Sequence, residues 1–140
     1  MFLLRRFPAA EARSRIVSLR KLYRKFLAEN KRDARGMRLL QTWLSSDQRA
    51  QFHHSGHFDV VGCDTGRRYR IYHGIGPPNV YEIDDAGHRK VGLCFEPVGS
   101  LVAGDVILAQ KIALETDERS ALVVANRFSP NRELRRMRSL

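Results

Sequence analysis

The chain has 140 residues, 43% of them apolar and 29% charged, and its 25 Lys and Arg against 15 Asp and Glu give a net charge of +10. A chain of this length buries roughly two thirds of its unfolded surface, enough for one domain with tails that needs neither disulfides nor metal. The apolar content excludes wholesale disorder, no apolar run is long enough for a membrane span, and Cys63 and Cys94 form no CxxC pair or disulfide framework. Met1 to Phe7 places only Phe2, Leu3 and Leu4 before Arg5 and Arg6, which is not a secretory signal, so the expectation is a cytoplasmic protein.

The charge is unevenly distributed. Residues 1–35 hold eleven Arg and Lys against three acids, a net of +8; residues 36–126 net −2; residues 127–140 net +4. Three units follow: a basic helical arm over 1–35, an α+β core over 36–126 and a basic tail over 127–140. Segregated cationic ends of this kind seek polyanions.

In chain order, Pro8 suits a first helical turn, and Ile16, Leu19, Tyr23, Phe26 and Leu27 recur at helical spacing, opposite Arg13, Arg20, Lys21, Arg24 and Lys25. This amphipathic helix is expected to end near Asn30, with Lys31 to Gly36 as a hinge-like link. Met37, Leu39, Leu40, Trp43 and Leu44 indicate a short helical segment. Ser45-Ser46-Asp47-Gln48 reads as a capping box opening another helix, which Gly56 ends.

From Phe58 the period becomes two. Strands are expected over Phe58–Gly62, Arg68–His73, Asn79–Ile83 and Lys90–Phe95, separated by turn residues, an arrangement that favours an antiparallel meander. Phe58, Val60, Tyr69, Ile71, Tyr81, Ile83, Leu93 and Phe95 are assigned to the core face; Asp59, Arg68, Arg70, Tyr72, Glu82 and Cys94 take the other. Asp105 begins a helix burying Val106, Leu108, Ala109, Ile112 and Ala113. Thr116 is expected to cap a second helical stretch after a break, running to Asn126.

The fold expected is α+β: a three- or four-stranded antiparallel meander with helices on one face, preceded by the basic amphipathic helix. Double-stranded-RNA-binding domains share this order of elements, but Ala103-Gly104-Asp105 stands where such domains carry a lysine-rich helix start.

The segments Leu44-Ser45-Ser46-Asp47-Gln48-Arg49, Gly66-Arg67-Arg68-Tyr69-Arg70-Ile71, Asn79-Val80 and Gly104 to Glu115 carry a likeness over Trp43 to Phe128. This stretch resembles a group of short uncharacterised bacterial and phage-borne proteins. The resemblance implies a shared core and a bacterial or phage origin, brings no assigned activity, and does not include the N-terminal helix.

No catalytic constellation emerges. His53, His54, His57, His73, Cys63 and Cys94 lack the paired spacing of a zinc site, and His53 and His54 point about 100° apart on a helix. Cys63 stands beside the acidic Asp64 and Cys94 lies in an apolar strand, neither a setting that stabilises a thiolate. Glu82, Asp84, Asp85 and Lys90 lack the acid-x-Lys unit of a metal nuclease, and Asp84-Asp85-Ala86-Gly87 is a hairpin turn. Gly74-Ile75-Gly76-Pro77-Pro78 has no phosphate-loop pattern. No cofactor, metal or enzymatic activity is therefore assigned.

The function expected is non-enzymatic binding of nucleic acid through phosphate, with little sequence preference. Its residues are Arg20, Lys21, Arg24, Lys25, Arg132, Arg135 and Arg136, with a lesser part for Arg68 and Arg70. The alternative is a protein-interaction module in which Leu19, Tyr23 and Phe26 meet a protein partner or another copy of the chain. A third reading lays the helix on an anionic membrane with Phe2, Leu3, Leu4 and Phe26 inserted, but the apolar stripe is narrow and lacks flanking Trp and Lys.

Overall fold

Short turns between strands leave each strand only its sequence neighbour to pair with. The computed structural model, which describes residues 9–76, 78–96, 99 and 101–130, follows that logic. Strands β1 (His57–Val61), β2 (Arg68–Tyr72), β3 (Val80–Ile83) and β4 (Arg89–Cys94) form an antiparallel meander, and β5 (Asn126–Phe128) adds a fifth strand beside β4. The Asp84 turn works as its residue types require. Asp84 Oδ1 accepts from the N–H groups of Ala86 and His88, and Gly87 takes φ of 83°.

The helices are α1 (Ala9–Trp43), α2 (Ser46–Ser55), α3 (Ala103–Thr116) and α4 (Glu118–Val124). The capping box of α2 forms as expected: the Gln48 N–H donates to Ser45 Oγ at 3.2 Å and the Ser45 N–H to Gln48 Oε1 at 3.1 Å. Gly56 then closes the helix in the left-handed conformation, φ 70°. Between α3 and α4 the chain breaks at Asp117, not under a Thr116 cap. The Thr116 hydroxyl instead donates to the Ile112 carbonyl, and Asp117 makes no side-chain capping bond.

One face of the sheet supplies Phe58, Val60, Tyr69, Ile71, Val80 and Leu93, packed against Leu40, Leu44, Ile107, Leu108 and Leu114 from the helices. The expected parity of β3 is wrong. Tyr81 stands opposite Arg70 and Ile83 opposite Arg68, so both lie on the far face, while Val80 and Glu82 point to the core side. A strand apolar on both faces does not reveal its own parity; the preceding loop sets it. Tyr81 and Ile83 are nonetheless buried, Tyr81 under the Arg89 guanidinium, which lies 4.3 Å from its ring centre and 4.6 Å from that of Tyr72.

Two helix assignments also change. The buried stripe of α3 is Gly104, Ile107, Leu108, Lys111 and Leu114, with Gln110 beside it, while Ala109 and Ile112 are exposed. Its polar members hid the true period. Lys111 is tolerated by pairing with Glu115 one turn on, and Gln110 exchanges amide hydrogen bonds of 2.8 and 2.9 Å with Asn79. The larger correction concerns the N-terminal helix, which does not end at Asn30. It runs unbroken through Lys31 to Gly36 into Trp43, 35 residues in all.

Candidate functional site

Nothing between Ala9 and Arg35 opposes a helix. The stretch has no Gly or Pro and is rich in Ala, Leu, Arg and Lys. All 27 residues from Ala9 to Arg35 are exposed, and the first buried position of α1 is Gly36. At 1.5 Å per residue this exposed part is about 40 Å long.

Gly36 is where the arm meets the core. A Cβ on Gly104 of α3 would lie 2.3 Å from the Gly36 carbonyl carbon and 2.5 Å from its oxygen, so the two backbones touch at a Gly–Gly crossing. The residue read as a hinge is thus a point of closest approach. Met37, Leu40 and Leu44 beyond it pack into the core and fix the direction in which the arm leaves.

Continuity of the helix changes its charge geometry. Residues 9–35 carry nine Arg and Lys against Glu11, Glu29 and Asp33. At 100° per residue, Arg13, Arg20, Lys21, Arg24, Lys25, Lys31, Arg32 and Arg35 fall within one arc of about 140°. The three cations of the supposed link therefore extend the basic face of the arm. Arg15 lies outside that arc and pairs with Glu11 at 3.6 Å. Among the described residues, no carboxylate lies within 4 Å of Arg20, Lys21, Arg24 or Lys25.

The sheet cations are differently placed. Asp59 on β1 accepts from both Arg68, at 3.0 Å, and Arg70, at 2.7 Å. Burial alone would raise the Asp59 carboxyl, but the two guanidinium groups hold it below the usual range. Tyr72, on the same strand, is flanked by His57, Tyr81 and Arg89. Arg132, Arg135 and Arg136 lie outside the described residues. Leu19, Tyr23 and Phe26 are all exposed on the arm, 64%, 62% and 57% respectively.

The residues examined for catalysis are tied into structure. Glu82 faces Arg67 and Lys90, each at 3.9 Å, and Asp84 is held by its turn and by His88. Burial and the nearby Glu96 push the Cys94 thiol upward. Among the described residues, the potential metal ligands that converge are Cys63, Asp64 and Glu118, within 4.8 Å of one another. The carboxylate at their centre is already committed. Glu118, fully buried, accepts from the N–H groups of Asp64 and Thr65 and from the hydroxyls of Thr65 and Tyr69. Asp64 accepts from the Arg119 N–H at 3.0 Å, and the Glu118 N–H donates to Cys63 Sγ. Burial by itself would raise the Glu118 pKa, but these four donors hold it below the carboxylate range, and burial beside that carboxylate raises Tyr69. This is a clasp joining α4 to the β1–β2 turn.

Sequence reasoning missed that clasp because Glu118 reads as a helix-start acid. It also missed the regular three- and four-residue spacing that runs through Ile16, Leu19, Tyr23, Phe26, Asn30, Asp33, Met37, Leu40 and Leu44. That spacing was a readable signal of one unbroken helix. No helix among the described residues is long and apolar enough to cross a membrane. Comparison with protein families, characterised proteins and solved structures finds nothing that matches the chain.

Proposed function

We propose that the protein binds nucleic acid through the phosphate backbone, using the basic face of its projecting α1 arm. The observation that carries this reading is the alignment of eight cations, Arg13 to Arg35, within one exposed helical arc. From Arg13 to Arg35 the face is about 33 Å long, near the length of one turn of duplex DNA. A straight row of guanidinium and ammonium groups suits a repeating line of phosphates, and contacts made to phosphate carry no sequence information, which favours little sequence preference. Arg68 and Arg70, which share the Asp59 carboxylate, contribute less, and the tail arginines add positive charge to the chain.

The test is the salt dependence of duplex binding by the full chain. Changing Arg20, Lys21, Arg24 and Lys25 together to Gln removes up to four phosphate contacts. The slope of log affinity against log salt then falls by up to about 3.6, since each contact contributes roughly 0.9. An unchanged slope and affinity would refute the assignment. The exposed apolar residues on the other side of the same helix favour a second reading, association through protein, developed below.

A further inference from the structure

The arm carries two faces, and phosphate binding uses only one of them. Ile16, Leu19, Tyr23 and Phe26 alternate at three- and four-residue steps and are 50%, 64%, 62% and 57% exposed. The same steps continue through Asn30 and Asp33 to Met37, Leu40 and Leu44, which are packed into the core. One heptad seam therefore runs the length of α1. Its C-terminal third is covered by the chain's own α3 and sheet, while its N-terminal part is uncovered. Leu22 and Leu27, also exposed, widen the open part on either flank.

We propose that the open seam is covered by the α1 arm of a second copy of this chain, running antiparallel, so that the protein is a two-fold dimer. Three observations select this occupant. The seam is continuous with a packed helix interface and keeps its period, as an interhelical surface does. The exposed parts of Ile16, Leu19, Leu22, Tyr23, Phe26 and Leu27 offer up to on the order of 700 Å² per copy, against the about 800 Å² per partner of stable interfaces.

Charge selects the direction. An antiparallel pair centred at position 21 sets Ile16 against the partner's Phe26 and Leu19 against the partner's Tyr23, so all four seam residues are matched by symmetry. Arg15 then faces the partner's Glu29 on the flank, twice per dimer, and small Ala9 and Ala12 meet the partner's Asp33 and Asn30. A parallel pair would instead place Arg15 beside the partner's Arg20 and the two Asp33 side chains together. The antiparallel pair keeps one like-charge contact, between the two Arg20 side chains beside the axis. The basic arc, on the opposite side of each helix, remains open in the dimer.

The test is sedimentation equilibrium on the full chain in nuclease-treated, nucleic-acid-free solution. A dimer is expected, tightening as salt screens the two cationic arms. Leu19→Glu with Tyr23→Glu should weaken it roughly 100-fold or more while the thermal melt of the core is retained. Arg15→Glu distinguishes the directions: it weakens an antiparallel dimer by setting a glutamate against the partner's Glu29, and adding Glu29→Arg restores it. A monomer at all concentrations would overturn the proposal, including one whose arm binds anionic vesicles instead. So would tightening by Arg15→Glu alone, or indifference to the seam variant. None of these outcomes depends on whether the basic face binds nucleic acid.

Discussion

The crossing of α1 over α3 is the joint on which the direction of the arm depends, and Gly104→Ala tests it. The added Cβ would lie 2.3 Å from Gly36 C, 2.5 Å from Gly36 O and 2.6 Å from Met37 N, all backbone atoms that no rotamer change can move. Restoring ordinary contact requires separating the helices by roughly 1 Å, which loosens Leu40 and Leu44 as well; such overpacking costs about 1–3 kcal/mol. The better helix propensity of Ala returns about 1 kcal/mol. With the upper part of the overpacking range appropriate to a backbone clash, the net loss is about 2 kcal/mol. Gly36→Ala provides the contrast. Its Cβ meets Val102 Cγ2 at 2.7 Å and Asp105 Oδ1 at 3.3 Å, side-chain atoms that can give where backbone cannot, so its loss should be smaller than that of Gly104→Ala. Urea unfolding followed by circular dichroism reads both. Equal or greater stability for Gly104→Ala, at unchanged m-value, would show that the helices do not touch there.

Other consequences follow from the buried polar groups. Glu118→Gln keeps the shape but turns an amide N–H₂ toward donors, and should cost about 3 kcal/mol or more in chemical denaturation; a loss below about 1 would contradict the clasp. Glu118 and Asp59 both have folded pKa values below their unfolded ones. The stability they contribute is thus present above the unfolded pKa, near 4.5 and 3.8, and is lost as pH falls through the depressed folded values. A pH series of melting temperatures should show this acid loss reduced in Glu118→Gln; an identical acid limb would refute it. Burial, with the charge of Arg70, lowers His57, so its contribution begins to fall as pH drops below about 6.5, and His57→Phe should flatten that earlier step. Asn79→Ala strands the Gln110 amide at the α3–sheet contact and should lower stability by about 1–2 kcal/mol, read by the same melts.

Much of the core was legible because its punctuation is chemical. Ser45 and Gln48, Gly56 and Gly87 each satisfy a geometric demand that few residue types meet, and the four meander strands lie within a residue or so of their expected bounds. What failed had physical causes. Strand β5, three residues long, owes its conformation to the open edge of β4, not to its own pattern. Val80 to Ile83 are nearly all apolar, so alternation could not tell which face is inward. The link after Asn30 has no large apolar residue because Lys31 to Arg35 are exposed and Gly36 packs through its backbone, so polarity there does not mark a break. Taking it for one matters most for the site, since an unbroken helix places Lys31, Arg32 and Arg35 on the same face as Arg20 and Lys21. The Glu118 clasp joins residues 49 to 54 positions apart and has no local signature.

The proposal that the basic arc of α1 holds phosphate is tested most directly by chemical footprinting of the five lysines with and without duplex DNA at low salt. Lys21, Lys25 and Lys31, on the arm, should be protected from amine-modifying reagent in the complex, while Lys90, exposed on the sheet, should react as in the free protein. Protection of Lys90 with unchanged reactivity along α1 would contradict the assignment and move the nucleic-acid surface to the core.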